Sequence, residues 1–327
     1  MPTYLVTGAA GFIGSHLAQA LLELGCTVRG LDNLSSGSLH NVAHLPQLDL
    51  IEADVRSPTA LRRAMQGVDC VLHHAAMASV AHCVDRPELS HAVNAVGTYN
   101  VLEAARTAGS VRRLVFASSS AVYGNAHAPP LQESFPACPL SPYAADKLRG
   151  EQAVRHYHQT QGLPGVVFRY FNIFGPRQDA SSGYAAAIPL FIGRLLHSRP
   201  PIIFGDGHQT RDFTYVADVV AANLLACQAA AAPAEPLNIA CGQATSLLQV
   251  LDSLSTLLGC RIAPQLQAPR LHEVRHSTAA VTSAQQALGF VAQTSLHQGL
   301  AATVDWYKAQ AATPHPAHEA GSVFLTA

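Results

Sequence analysis

The chain has 327 residues, enough for one large α/β unit or two domains, and its 49% hydrophobic against 13% charged content implies a large buried core, since about 25% charged is usual. A formal net charge of -1, with no long run of like charges, gives no field for nucleic acid or an anionic membrane, and neither is expected as a partner. No apolar stretch reaches the roughly 18 residues of a membrane span, and the N-terminus enters a strand without a basic leader, so a cytoplasmic protein is expected.

In chain order, Tyr4–Thr7 reads as a short apolar strand that turns through Gly8-Ala9-Ala10-Gly11-Phe12-Ile13-Gly14 into a helical pattern over Gly14–Leu24. Glycines between strand and helix suit a dinucleotide pyrophosphate: Gly8 for the tight turn, Gly11 for close backbone approach, Gly14 for helix packing, with the helix N-terminus facing the anion. Thr27–Leu31 is the second strand. Asp32 at its end offers a carboxylate to adenosine ribose hydroxyls and repels a 2′-phosphate, which favours NAD over NADP. Leu48–Glu52 is the third strand, followed by Asp54-Val55, expected beside adenine; the plain alternative is that Asp54 caps the turn ahead of Pro58.

A helix over Pro58–Met65 leads to the strand Cys70–His74, with His74-Ala75-Ala76 expected along the pyrophosphate. The helix Asn94–Ala108, the strand Arg113–Ser118, the helix Ser141–Gln161 and the strand Gly165–Tyr170 continue the alternation. Such regularity means an α/β fold with a doubly wound, parallel, Rossmann-type sheet and a cofactor crevice at the carboxyl ends of its strands. After Tyr170 the pattern becomes irregular, which reads as a smaller, loop-rich C-terminal substrate-binding domain with one helix near Val216–Gln228 returning to the sheet. The expected division is a Rossmann domain over 1–171, a substrate domain over 172–310 and a flexible tail over 311–327.

Seven scattered cysteines, never in C-x-x-C spacing, argue against a disulfide framework or a zinc knuckle. Seventeen histidines include no H-E-x-x-H, and His156/His158 and His40/His44 lack a thiolate or carboxylate at ligand spacing, so no metal is expected. Ser141-Pro142 reads as an N-cap followed by proline at the first helical position, which sets Tyr143 and Lys147 at i and i+4 on one face. A free phenol, with a pKa of about 10, is no base at neutral pH, but a neighbouring ammonium and an oxidised nicotinamide both favour the phenolate. The expectation is a phenol held ionised near neutral pH, for redox chemistry on an alcohol.

With the run Phe116-Ala117-Ser118-Ser119-Ser120-Ala121-Val122-Tyr123-Gly124 the chain resembles the NAD-dependent sugar-nucleotide epimerase branch of the extended short-chain dehydrogenase/reductases. The same resemblance extends through Asp32-Asn33, His73-His74-Ala75-Ala76, Asn94 with Gly97-Thr98, Arg169-Tyr170-Phe171-Asn172, Gly175-Pro176-Arg177-Gln178 and Gly205-Asp206-Gly207 leading to Thr210-Arg211-Asp212-Phe213. It implies that Tyr143 is the catalytic base, that Lys147 binds the nicotinamide ribose and tunes Tyr143, and that Ser119 hydrogen-bonds the reacting hydroxyl. It also implies that NAD is held by Gly8, Gly11, Phe12, Ile13, Gly14, Asp32, Asn33, Asp54, Val55, His74, Ala75, Ala76 and Asn94 together with Tyr143 and Lys147. Ser79, Ser119, Asn172, Ala186, Ala187, Arg211, Arg270 and Ser277 are then the substrate contacts, the arginines suiting a diphosphate.

Family dehydratases and decarboxylases carry an acid just after the active-site Ser/Thr, where this chain has Ser120 and Ala121, so simple C4 epimerisation of a UDP-sugar through a 4-keto intermediate is favoured. In the hexose 4-epimerases a residue seven beyond the position of Arg270 gates the sugar C2 substituent; a small Ser277 there implies that UDP-GlcNAc/UDP-GalNAc is accepted as well as UDP-Glc/UDP-Gal. The register is carried by Arg270-Leu271-His272-Glu273, a departure from the usual Arg-x-Gly-Asp. The alternatives are a UDP-uronic acid 4-epimerase, with Arg177 or Arg275 meeting the C6 carboxylate, a reductase or dehydratase of the same family, and a dinucleotide-sensing regulator, which would lose the Tyr/Lys pair. Family members dimerise through a four-helix bundle, so a homodimer through Asn94–Ala108 and Ser141–Gln161 is expected.

Overall fold

The computed structural model describes residues 1–180, 186–269 and 274–312. Strands β1 (Thr3–Thr7), β2 (Thr27–Asp32), β3 (Asp49–Glu52), β4 (Cys70–His73), β5 (Arg113–Ser119) and β6 (Gly165–Tyr170) agree with the apolar runs to within one residue at each end. Between them lie α1 (Phe12–Glu23), α2 (Pro58–Ala64), the short α3 (Val80–Asp85) and α4 (Pro87–Ser90), a wide π turn over His91–Val96, α5 (Gly97–Ala108) and α6 (Pro142–Thr160). Beyond β6 come β7 (Ile173–Phe174), α7 (Ala187–Leu196), β8 (Ile202–Phe204), β9 (Thr210–Arg211), β10 (Thr214–Tyr215) and α8 (Val216–Gln228). The chain continues through β11 (Leu237–Ile239), β12 (Thr245–Ser246), α9 (Leu247–Leu258), β13 (Gln265–Gln267), α10 (Thr282–Leu288) and α11 (Leu296–Ala312).

Among the described residues the main sheet has seven parallel strands in the order β11-β6-β5-β4-β1-β2-β3. Its central strands read as continuous apolar runs because both faces are covered. Leu5, Val71, Leu114 and Phe116 point into one core with α2, α5 and α6, while Val6, Leu72, Val115 and Ala117 point into the other with α1 and α8. The strand order reverses between β1 and β4, the topological switch point where open α/β sheets bind ligands.

The chain leaves the sheet after β6, returns as α8 and β11, and leaves again, so the region beyond Tyr170 contributes both a helix and the edge strand to the sheet. That region is also more regular than its sequence suggests, because its prolines do not all break structure. Pro189 lies in the first turn of α7, where no intrahelical partner awaits an N–H, and α7, α9 and α11 pack around a third core of Phe191, Ile192, Leu251, Leu254 and Leu300. Helix α11 runs on to Ala312, and the rest of the expected tail lies outside the described residues. No described helix is long and apolar enough to cross a membrane.

Candidate active site

The glycine loop is built by backbone contact. Gly8 turns with φ +71°, and a methyl there would stand 2.8 Å from Ala75 N; one on Gly14 would stand 2.0 Å from Gly8 O. Gly11 caps α1 with no side-chain acceptor, so the N–H groups of the first turn face the crevice together with Phe12 and Ile13. Asp32, 7% exposed, accepts from Ala10 N at 2.9 Å and Leu34 N at 2.8 Å, which aims the carboxylate at the end of β2. A backbone cradle, an uncapped helix N-terminus and a fixed carboxylate fit a dinucleotide, and His74 Nδ1, buried without a partner at the neighbouring strand end, leaves a further polar atom to be met.

Asp54 does cap the turn ahead of Pro58, its carboxylate accepting from Arg56 N at 2.8 Å, while Ser57 caps the helix itself, accepting from Ala60 N at 3.3 Å. Arg56 grips the Asp54 carboxylate at 2.7 Å, Asn33 donates to it at 2.7 Å, and hydrogen bonds from Arg56 lower its pKa to about 2. Val55, adjacent, is buried against the flank of α5. Asn94 fixes the loop after β4: its carbonyl accepts from Met77 N at 2.8 Å and its amide donates to Met77 O at 3.1 Å. Ala75 N donates to Thr7 Oγ1 at 3.2 Å, tying Ala75-Ala76 to the end of β1. Ring contact at 5.8 Å and a 3.0 Å Nε2–hydroxyl distance join His74 to Tyr170, which accepts from Asn223 of α8 at 2.8 Å; burial lowers the His74 pKa to about 3, so the ring is neutral.

On the other side of the switch point, Ser141 Oγ accepts from Ala144 N at 3.2 Å and Pro142 begins α6, which starts the helix as its sequence suggests. Lys147 lies one turn below Tyr143, with Nζ 5.8 Å from the Tyr143 ring centroid, and donates to Ala117 O of β5 at 2.7 Å. Ser119 ends β5, accepts from Ala121 N at 3.2 Å, and lies close enough to Tyr143 to lower the pKa of its phenol. The structure thus gathers Ser119, Tyr143 and Lys147 at one corner of the crevice.

The side chains of this corner by themselves favour the neutral phenol. Burial pushes the Tyr143 phenol up to about 12, against a lowering by the Ser119 hydrogen bond, and burial also lowers Lys147 to about 8. In the ligand-free chain desolvation outweighs the ammonium, whose donor is turned to a backbone carbonyl.

Several supports have no motif of their own. Ser118 Oγ donates to Glu151, which also takes Arg169 at 2.7 and 3.0 Å, with Arg169 stacked 4.7 Å from the Tyr123 ring centroid. This buried pair pins α6 across β5 and β6, and the i, i+4 spacing of Lys147 and Glu151 is the signal that places both on one face. Asp146 is likewise held by Ser90 at 2.8 Å and Arg149 at 2.9 Å.

Among the expected substrate contacts, Asn172 is exposed after β6 with φ +24°, a conformation few L residues adopt and one that clusters at functional sites. Ser79 caps α3, accepting from His82 N at 3.2 Å, and Ala186 and Ala187 form the start of α7. Arg211 donates to Thr210 O at 2.9 Å and Arg275 O at 3.2 Å; Ser277, 6% exposed, donates its N–H to Thr210 O at 3.1 Å and so stands beside the same strand. Asp212, next in the chain, is fully buried and accepts from the N–H groups of Cys241 at 3.0 Å, Gly242 at 2.9 Å and Ala279 at 3.1 Å. Arg270 lies outside the described residues. Of the two cations considered for a uronic acid, Arg275 pairs with Asp206 at 2.7 Å, while Arg177 meets Gln19 and His44 through Nη2 and leaves its buried Nη1 without a hydrogen-bond partner. Among the described residues no three His, Cys, Asp or Glu side chains converge as a metal site.

Comparison with known proteins gives the same setting. Residues 4–240 match the NAD dependent epimerase/dehydratase family. A UDP-glucose 4-epimerase of Mycolicibacterium smegmatis is 38% identical over 310 residues, covering 93% of this chain and 98% of the relative. Among solved structures, a UDP-N-acetylglucosamine 4-epimerase from Methanobrevibacter ruminantium in complex with UDP-N-acetylmuramic acid superimposes with a TM-score of 0.90 at 35% identity, covering 94% of this chain and 99% of that one. A UDP-glucuronic acid 4-epimerase variant from Bacillus cereus, in complex with a fluorinated UDP-glucuronic acid and NAD, gives a TM-score of 0.87 at 31% identity over 94% and 99% of the two chains. Glycine cradle, switch-point crevice, Ser-Tyr-Lys corner and full-length similarity converge on one assignment: the chain belongs to the NAD dependent epimerase/dehydratase family.

Proposed function

We propose that the protein interconverts C4 epimers of a UDP-hexose, with N-acetylhexosamine forms among its substrates. The observation that carries this reading is the Tyr143 ring over the Lys147 ammonium, with Ser119 at the strand end beside the glycine cradle and no carboxylate at positions 120 and 121. NAD, when bound, supplies the reversible oxidation of C4. Tyr143 accepts the proton of the 4-hydroxyl and later returns one, and Ser119 holds that hydroxyl against the phenol. Lys147, fixed on Ala117 O, keeps a positive charge beneath the ring at neutral pH. Asn172 and Arg211 hold the diphosphate while the sugar turns, and a small Ser277 leaves room for an N-acetyl group.

A hexose is favoured over a uronic acid because Arg275 is already paired with Asp206. The test incubates purified protein with UDP-Glc, UDP-GlcNAc and UDP-GlcA and follows the anomeric and H4 protons by NMR. C4 epimers of the first two, without net NADH and abolished by Tyr143→Phe, are expected. No epimer from any of the three, or accumulation of a stable 4-keto sugar, overturns the reading.

A further inference from the structure

The carboxylate that immediately precedes Lys147 takes no part in the proton transfers above, yet it is buried and fully engaged. Asp146 is 2% exposed and lies three residues beyond Tyr143, on the flank of the face of α6 that carries Tyr143 and Lys147. Its Oδ2 accepts from Ser90 Oγ, at the end of α4, at 2.8 Å. Its Oδ1 accepts from Arg149 Nη1 at 2.9 Å and from His91 Nδ1 at 3.0 Å. Both of these side chains are more than half exposed, so Oδ1 is held from the rim and Oδ2 from the interior.

The interior bond continues across to the loop after β4. A serine hydroxyl has one hydrogen, and the carboxylate takes it, which turns the Ser90 oxygen to accept. Asn94 Nδ2, in the wide π turn, donates to that oxygen at 3.3 Å. The other hydrogen of the same amide goes to Met77 O at 3.1 Å, and Asn94 Oδ1 accepts from Met77 N at 2.8 Å, so the two bonds to Met77 fix which way the amide faces. Ser90 and Asn94 are buried like Asp146, and low dielectric with aligned donors strengthens each bond of such a series. Met77 directly follows Ala75-Ala76, whose other tie is Ala75 N to Thr7 Oγ1 at 3.2 Å. The loop is thus fastened at one end to β1 and at the other, through three buried side chains, to α6.

We infer that Asp146 is a positioning residue for NAD: through Ser90 and Asn94 it keeps the NAD contacts implied on the loop, Ala75 and Ala76, at one spacing from those implied on α6, Tyr143 and Lys147. Without the carboxylate, the Ser90 hydroxyl has an alternative acceptor in its own helix, Arg86 O, which already takes Ser90 N at 3.0 Å. Turned that way, the hydroxyl no longer offers its oxygen to Asn94, and the amide that holds both polar groups of Met77 loses its second anchor. A loop that is already ordered gives up less freedom when a ligand binds, so loosening this one lowers affinity for the dinucleotide. Glu151 and Arg169 seat α6 on the sheet, whereas Asp146 ties it to the loop across the crevice.

The test titrates NAD into ligand-stripped, full-length protein by calorimetry, with Tm read in parallel. Asp146→Ala and Ser90→Ala should each weaken NAD binding by roughly fivefold or more, the scale of a buried hydrogen bond left unmatched. In the double variant the two losses should not add, because both changes cut one series of bonds. Asp146→Asn keeps an acceptor for Ser90 and should bind NAD within about twofold of wild type, as should Arg149→Met, which leaves His91 on Oδ1. Ser90→Ala leaves the carboxylate with its two rim donors, so the test stands even where Asp146→Ala fails to fold. A lower Tm with unchanged NAD affinity, fully additive losses, or a loss in Asp146→Asn as large as in Asp146→Ala overturns the inference.

Discussion

Replacing Gly14 with alanine separates the two tasks of the glycine loop. The added methyl would stand 2.0 Å from Gly8 O, 2.7 Å from Gly8 C and 3.0 Å from Ala9 Cα, all backbone atoms that cannot rotate aside. Helix α1 must move away from the turn, and overpacking of this kind costs about 1–3 kcal/mol. With an unfolding entropy near 2.1 cal/mol/K per residue, a chain of 327 residues loses roughly 1.5 °C of Tm per kcal/mol, so a drop of about 1.5–4.5 °C is expected. At Gly11 a methyl meets only Gly8 O, at 3.1 Å, and the φ of -77° is ordinary for any residue, so Gly11→Ala should melt within about 1 °C of wild type. That methyl instead occupies the space before the α1 N-terminus, and affinity for NAD should fall by about tenfold or more, near 1.4 kcal/mol. Scanning fluorimetry of the ligand-stripped proteins and calorimetric titration with NAD read both quantities. If Gly14→Ala melts with wild type and binds NAD equally well, the packing argument fails; if Gly11→Ala loses as much stability as Gly14→Ala, the division of tasks fails.

Three further outcomes are expected. Ser277→Tyr should abolish turnover of UDP-GlcNAc while sparing UDP-Glc, read as separate kcat/KM values, and retained activity on the N-acetyl sugar would mean that residue 277 does not border C2. Glu151→Gln should cost about 3–5 kcal/mol in urea unfolding, because it leaves the Arg169 guanidinium, 6% exposed, without its anion; a loss below about 1 kcal/mol would show that the pair is not needed to seat α6. Asp212 is raised to about 6 by burial, which outweighs its backbone N–H donors, from an unfolded value of about 3.9. The folded state therefore holds a proton that the unfolded state releases, and this contribution is complete below pH 4 and lost as pH rises through 6. Relative to the non-titrating Asp212→Asn, wild type should lose about 2–3 kcal/mol between pH 4 and pH 7, and a flat difference would refute the shift.

What could be read from the sequence is what is local. The strands of the main sheet are legible because burial on both faces makes each a bounded apolar run, and β11 is missed because Leu237-Asn238-Ile239 is short and buries an asparagine, whose side chain is spoken for by Tyr123, Leu131 and Ala280. Gly8, Gly14 and Asp32 announce themselves within one strand–helix–strand unit, and Tyr143 and Lys147 lie within one helical turn. The partners that fix them do not: Glu151 with Arg169, Asn94 with Met77, and Asp212 with Gly242 and Ala279 are brought together only by the crossings of the fold.

The same limit applies at Tyr143. Helical spacing fixes how near an ammonium comes to a phenol, and nearness alone favours the phenolate. It does not fix the medium between them, which depends on how β5, α6 and the loop after β4 close around the pair, nor the direction of the Lys147 N–H bonds, one of which is taken by Ala117 O. A shift of one pKa unit is about 1.36 kcal/mol, so a phenol raised from 10.0 to about 12 records a desolvation cost of a few kcal/mol beyond what Ser119 returns. A buried Tyr-x-x-x-Lys pair is therefore a proton-transfer site whose activity depends on what else enters the crevice, and spacing in a sequence identifies the pair without giving its protonation state.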